Sequence, residues 1–476
     1  METKRGLTRR EFLARATQGV GALAASSILT ACGQQPTPPP TTVPTKAAAA
    51  ATTAPTTAPV AAAPIKLIQC DSNPTEYRTN AYKLAAAGFK QLFPNVTVEY
   101  VPVPIANYQE KLQAAIAAGT PPDVGDMWFN WMARYVAQKA LRELDPYLPL
   151  WKKLNDYSPA HLKLSRVVDN KTYVLAWDLF LQGSHYRKDL VKEAGLEDPR
   201  ELDKQGKWDW AAFSKVAKAL NKPEKNIFGV SMRGGIGGDF TIFNMMISAT
   251  KGKWFDDKGN CMLNSPEALA ALEWYSGLAT ELKVAQPSAA TDGFQEFTNY
   301  FYKGNAGMMI HNDDGINGLI QLGRDKYGSA QMPAGPAGTY MGLVGFGESV
   351  FAASKSPETA AQYVFHFTET VVTRELEGRK QAGQKVEVMP NAPMISDLKN
   401  PLLSDPLYEA FYDIPNKTPE RTFVNPFWLA DYDGITGQMV VPDFQKILTG
   451  KMKPKEAADR WADAFTKAQK EYLAKK

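Results

Sequence analysis

The chain has 476 residues, with 54 Lys/Arg against 50 Asp/Glu, 44% hydrophobic residues and three cysteines. Five Lys/Arg and two Glu fall within residues 1–31, a net of +3, so the remainder sits near +1 with its charges interspersed. That balance offers no basic stripe for nucleic acid and no amphipathic membrane helix, and two cysteines beyond residue 32 make no disulfide framework.

The first element is a leader. Thr8-Arg9-Arg10-Glu11-Phe12-Leu13 precedes an uncharged run over residues 16–31 that is too short for a membrane span, which needs roughly 20 apolar residues. A twin arginine before such a run reads as a Tat-type export signal. Leu29-Thr30-Ala31-Cys32 resembles a bacterial lipobox, in which cleavage occurs before Cys32 and its thiol carries lipid. Each buried CH₂ contributes about 0.8 kcal/mol, so a multi-acyl anchor holds the protein on the outer face of the cell membrane. Residues 32–64 are almost only Ala, Pro, Thr and Gln with one charge, Lys46. Such a segment buries too little apolar surface to offset its ordering entropy and reads as an extended tether.

About 410 residues remain, enough for two domains. Ile65-Lys66-Leu67-Ile68-Gln69-Cys70 predicts a buried strand, and Tyr82, Ala85, Ala86 and Phe89 follow at helical spacing. Val96-Thr97-Val98-Glu99-Tyr100-Val101 alternates as a second strand. A helix over 107–118 closes at Gly119, and Pro121-Pro122-Asp123-Val124 opens a third strand. Strands alternating with helices at this spacing argue for an α/β fold with a parallel sheet. Further on, Asp209 is placed to cap a helix carrying Phe213, Val216 and Leu220. Asp256-Asp257-Lys258-Gly259 has turn composition. Helical stripes at Leu272/Tyr275/Ala279/Leu282, Ala360/Tyr363/Val364/Phe367/Val371 and Trp461/Phe465/Ala468/Tyr472 read as core.

Several of these segments together resemble family 1 extracellular solute-binding proteins, the receptor subunits of ABC importers. The resemblance is carried by Phe93-Pro94-Asn95-Val96, Tyr108-Gln109-Glu110-Lys111-Leu112 and Ala118-Gly119-Thr120-Pro121-Pro122-Asp123-Val124. It continues in Tyr186-Arg187-Lys188-Asp189-Leu190 with Ala194-Gly195-Leu196, Trp208-Asp209-Trp210, Phe255-Asp256-Asp257-Lys258-Gly259, Lys303-Gly304-Asn305-Ala306-Gly307-Met308 and Met332-Pro333-Ala334-Gly335-Pro336. It implies a two-lobed periplasmic-binding-protein-like fold of type II, with the ligand cleft between lobes joined by hinge crossings. The implied first lobe is residues 65–177 with 347–400, and the second 178–346 with 401–476. Crossings are expected near Trp177-Asp178, Gly345–Gly347 and Asn400, which puts Cys70 and Cys261 on different lobes.

Catalytic patterns are missing. There is no His-Glu-x-x-His, no Cys-x-x-Cys, no Gly-x-Ser-x-Gly and no phosphate loop, so neither metal nor cofactor is expected. The resemblance implies no enzyme. A pair of distant carboxylates leaves a carbohydrate-active hydrolase as the alternative, beside a non-transport sensory lipoprotein on the same fold. Carbohydrate recognition needs flat aromatic faces for C–H patches and planar carboxylates or amides for paired hydroxyls. Candidates in loops at strand ends are Asp71, Trp128, Asn130, Trp131, Trp177, Asp178, Asn312, Asp313, Phe346, Glu348 and Trp428, with the 234–239 loop beside the cleft. The expected function is capture of a sugar or oligosaccharide by lobe closure. The expected partners are ABC permease subunits, with the membrane reached through the lipid anchor only, no nucleic acid, and a monomeric receptor.

Overall fold

In the computed structural model of the chain, the described residues are 63–384, 392–401 and 406–476. The twin-arginine segment, Cys32 and the tether up to residue 62 lie outside them.

The predicted opening strands form as β1 (Ile65–Asp71), β2 (Val96–Pro102) and β3 (Val124–Trp128). β1 pairs in parallel with β2 on one side and β3 on the other. The intervening helix Glu76–Leu92 buries Tyr82, Ala85 and Phe89. Leu67, Val124 and Phe89, all buried, meet Tyr363 and Val364 of the long helix Pro357–Gln381 in one core cluster.

The sheet is not purely parallel. β4 (Val174–Leu179) and β10 (Gly345–Val350) complete it in the order β2-β1-β3-β10-β4, and β10 runs antiparallel to both neighbours. β10 is inserted late in the chain, and it returns from a second sheet rather than from a local crossover. A Cβ on Gly347 would lie 2.1 Å from the Leu175 carbonyl oxygen, and one on Gly345 2.0 Å from that of Asp178. Only glycine permits that approach of β10 to β4.

The second sheet contains β5 (Gln182–Arg187), β6 (Phe228–Ser231), β7 (Ala306–Asn312) and β8 (Tyr327–Gln331), in the order β6-β7-β5-β8. Its helix Trp210–Leu220 is capped by Asp209, whose Oδ1 accepts the Ala212 N–H at 2.8 Å, and buries Phe213, Val216 and Leu220 as the spacing predicts. Full burial of each such side chain contributes about 1.5–3 kcal/mol. The turn at 256–259 closes as expected, with Asp256 Oδ1 accepting the Lys258 and Asn260 N–H groups.

The chain passes from the first sheet to the second between Leu179 and Gln182, and back between β9 (Met341–Leu343) and β10. These two passages are tied together by the Phe180 N–H donating to the Val344 carbonyl at 2.7 Å. The crossing expected near Asn400 adjoins residues 402–405, outside the described residues. Cys70 and Cys261 are both free. Among the described residues no helix is long and apolar enough to cross a membrane.

Candidate functional site

β1, β3 and β4 end on the same side of the first sheet, and β10 begins there. Their ends carry an aromatic wall. Trp128, half-buried, stacks on Phe346 with ring centroids 5.2 Å apart and planes 24° apart. Phe180, also half-buried and in the first crossing, lies 5.6 Å from both rings. Trp177 meets Phe346 edge-on at 4.8 Å but is 4% exposed. Asp178, half-buried, is Phe346's register partner across β4 and β10.

Behind the wall lies a closed polar cluster. Asp71, Asp126 and Glu348 have no exposed surface, and one guanidinium, Arg78, serves the two aspartates. Arg78 Nη2 donates to Asp71 Oδ1 at 2.8 Å and to Asp126 Oδ2 at 3.0 Å. Its Cζ lies 5.0 Å from the Phe346 ring centre and 5.1 Å from that of Trp177. Asp71 also accepts from the Asn73 N–H and the Tyr100 hydroxyl. Burial alone would raise Asp71, but Arg78 and these hydrogen bonds bring it below the usual carboxylate range. Asp126 is raised by burial, which the Arg78 charge opposes. The Tyr82 hydroxyl lies 2.7 Å from Asp126 Oδ1 and 2.8 Å from Glu348 Oε1, yet a phenol has one proton to give. Burial, and then the Asp126 charge, hold Glu348 well above its ordinary range, so it carries its own proton.

The second sheet contributes the facing side. Gly234 and Gly235 donate to the Ala289 and Asp292 carbonyls, and Ile236 projects from the loop with 84% exposure. The Arg233 guanidinium lies 5.6 Å from the Phe294 ring centre. The loop ends on Asp239 in the helix Gly238–Ala249, buried beside Arg233 and Asp433 and raised by burial to about 6. Asp433, in the short helix Tyr432–Ile435, links this side to the wall. Its Oδ1 accepts from Asn130 Nδ2 at 3.0 Å, and its Oδ2 is 3.9 Å from Arg134 Nη2. Asn130 and Arg134 lie one turn apart in the helix Phe129–Ala137, which follows Trp128.

The candidate residues from the sequence thus fall into four places. Trp128, Trp177, Asp178 and Phe346 form the wall, and Asn130 sits beside it on Asp433. Asp71 and Glu348 are enclosed behind it and act on it from the rear. Trp131 is 8% exposed and lies on the Tyr108 ring, so it backs the wall too. Asn312 and Asp313 serve the crossing. The Asn312 carbonyl meets His185 Nε2, and Asp313 Oδ1 accepts the Leu181 N–H at 3.2 Å. Trp428 stands apart: its indole N–H donates to Gln469 and its ring lies by Phe255. It lines a separate depression of about 470 Å³ with Leu162, Lys163, Arg166 and Asn170.

Sequence reasoning did not single out Ser72, Arg78, Tyr82, Asp126, Phe180 or Asp433 as site residues. A signal existed for two of them. Arg78 is one turn before Tyr82 on a stripe otherwise apolar, and Asp126 interrupts the buried run of β3. No cluster of His, Cys, Asp or Glu able to hold a metal ion occurs among the described residues.

Two α/β sheets with an aromatic wall at the strand ends and a double crossing beneath it define a binding protein with its cleft between lobes. The comparisons agree. Residues 71–369 match the bacterial extracellular solute-binding proteins, and the chain belongs to that family. A provisionally named binding protein of Brucella abortus (strain 2308) is 29% identical over 277 residues, 56% of this chain and 63% of that one. The mannitol-binding protein of Pseudomonas aeruginosa is 24% identical over 225 residues, covering 47% of this chain and 49% of that one. The chain thus spans less than two thirds of these relatives' length. Among solved structures, an ABC substrate-binding protein from Listeria monocytogenes in complex with cycloalternan superposes with a TM-score of 0.68 at 19% identity, over 85% of this chain and 98% of that one. The GacH receptor of Streptomyces glaucescens, solved unliganded and with acarbose, gives 0.69 at 21% identity, over 86% and 99%. These likenesses establish the two-lobed fold.

Proposed function

We propose that the protein is the solute-binding lipoprotein of an ABC importer, anchored through Cys32, which captures a neutral sugar or polyol between its lobes and delivers it to a permease. The lobes follow the expected division at residues 65–177 with 347–400 and 178–346 with 401–476, moved by two residues at the crossings so that β4 and β10 stay whole in the first. The observation that carries this reading is the pair of half-buried rings Trp128 and Phe180 backed by the buried Phe346, an apolar platform of the kind that ring C–H patches require. Charge supports the neutral class. The Arg78 guanidinium is engaged by Asp71 and Asp126, Arg134 has Asp433 beside it, and Arg233 lies against Asp239. A phosphodiester or sugar acid would have to take a cation away from a carboxylate. Relatives named for mannitol and for lactose fit the same class.

Capture is by population shift. A solute touching both sides favours the closed form by its differential affinity, and the Asn130–Asp433 contact adds to it. No covalent step is involved. A thermal-shift screen of the purified protein against sugars, polyols, phosphodiesters and polyamines tests the reading. A ligand that binds only the folded state stabilises it by about 2.7 kcal/mol at 100 times its dissociation constant. A saturable shift from a sugar or polyol is expected, and a shift from anions alone overturns the neutral class. Cys32→Ala should release the protein from the membrane fraction and abolish labelling by a lipid precursor.

A further inference from the structure

Asp126 and Ser72 form a relay that ends on the wall. Asp126 Oδ2 accepts the Ser72 backbone N–H at 3.0 Å and the Ser72 hydroxyl at 2.8 Å, and the Trp128 indole Nε1 lies 3.3 Å from Ser72 Oγ. The direction of each bond is fixed by chemistry. An indole N–H can only donate, and Asp126 Oδ2, which already takes the Ser72 N–H and the Arg78 guanidinium, acts as an acceptor. Ser72 must therefore give its one proton to Asp126 and take the indole proton on its oxygen. Arg78 and Tyr82 hold Asp126 from its other sides. Ser72 is 1% exposed and Asp126 fully enclosed, so neither reaches a solute in the cleft.

Stacking alone does not set which way the indole faces. A half-turn about the Cβ–Cγ bond would leave the Trp128 ring in nearly the same plane against Phe346 but move the N–H to the opposite edge. The hydrogen bond to Ser72 is what distinguishes the two. With the N–H committed inward, the outward edge of the Trp128 ring offers no donor and its exposed face is apolar. We propose that Ser72 is a positioning residue for solute recognition, holding the Trp128 indole in the orientation that presents an apolar platform, with Asp126 as its fixed acceptor. This rests on the reading of the wall as the solute site.

The test is Ser72→Ala, which keeps the backbone N–H, Arg78 and Tyr82 bonds to Asp126 and should leave the fold intact. In unliganded protein labelled with 5-fluorotryptophan, the Trp128 fluorine resonance, assigned by Trp128→Phe, should shift or split in Ser72→Ala. The other nine tryptophans should stay in place. Ser72→Thr, which keeps the hydroxyl, should restore it. Affinity for maltose or D-mannitol, whichever stabilises the wild type, should fall about 5–10-fold in Ser72→Ala, the size of one lost hydrogen bond. It should fall no further when Ser72→Ala is added to Trp128→Phe. An unmoved Trp128 resonance overturns the proposal, and so does full additivity of the two substitutions. Should neither solute bind the wild type, the site reading fails, while the fluorine spectrum still decides the relay.

Discussion

The two sides of the cleft handle buried acid in opposite ways. On the first sheet, Asp71, Asp126 and Glu348 are closed off from solvent around Arg78 and Tyr82, with aromatic rings and Asp178 at the surface presented. On the second, Asp239 is buried at a helix start, whereas Asp433 keeps about a third of its side-chain surface and meets its partners from the other side. The first side is a prebuilt platform whose polar groups are spent on holding it still. The second keeps charge near the surface and can reorganise when the lobes move. A receptor that closes on a solute needs both, a rigid face to stack on and a yielding one to close.

The comparison breaks most visibly at Arg78. Replacing it with Met leaves Asp71 and Asp126 facing each other in a dry interior, and removing one partner of a buried ion pair costs about 3–5 kcal/mol. Urea unfolding of Arg78→Met should show a loss of that size; a loss under 1 kcal/mol would mean that the cluster is not the brace it is taken for. On the exposed face of the same wall, Trp128→Ala should cost the ligand about 30-fold in affinity, roughly 2 kcal/mol. Isothermal titration with the solute found by the screen reads this directly, and an unchanged dissociation constant would move the site elsewhere.

Acid distinguishes the two sides by where it acts. Asp239 and Glu348 are both raised by burial, Asp239 to about 6 and Glu348 well beyond. A carboxyl raised in the folded state stabilises fully below its unfolded pKa, about 4, and loses that contribution as pH rises through the folded value. For Asp239 the loss falls between about pH 4 and 6, so Asp239→Asn should flatten the stability curve across that window. Glu348→Gln should flatten the curve through the same window and beyond about pH 6, because folded Glu348 is still protonated there while the unfolded carboxyl is ionised. Urea midpoints at about pH 4.5, 6.5 and 8 separate the two, since only Glu348 still contributes slope above about pH 6.5; identical pH profiles for wild type and Asp239→Asn would remove Asp239 from the account.

How much of this was readable beforehand depended on distance along the chain. Local chemistry was enough for β1 to β3, whose apolar residues alternate, and for the Asp209 cap, whose acceptor is three residues from its donor. It was enough to place Trp128, Asp178 and Phe346 at strand ends. It did not separate the surface of the wall from its backing. Asp71 and Glu348 look like ligand contacts because acids at strand ends usually face the cleft, and only Arg78 and Tyr82, arriving on one helix, hold them inward. Trp428 has no local mark of its partner Gln469, 41 residues away. The antiparallel placement of β10 rests on pairing with residues more than 160 positions earlier, which no periodicity encodes.

The smallest expected effect is the one that addresses the link between the sides. Asn130 Nδ2 reaches Asp433 at 3.0 Å from a helix fixed to the wall, while Arg134, at 3.9 Å and about a third exposed, adds little. A neutral-to-charged hydrogen bond of this kind contributes about 1.5 kcal/mol at most in a partly solvated setting. Asn130→Ala should therefore leave global stability nearly unchanged, because the buried clusters of both sheets are untouched, and lower solute affinity by less than tenfold. If the contact belongs to the closed form, small-angle scattering of the unliganded variant should give a larger radius of gyration than wild type, and the difference should vanish at saturating solute. A variant that loses affinity without opening would place Asn130 on the solute rather than on the latch, and would make the second side as rigid as the first.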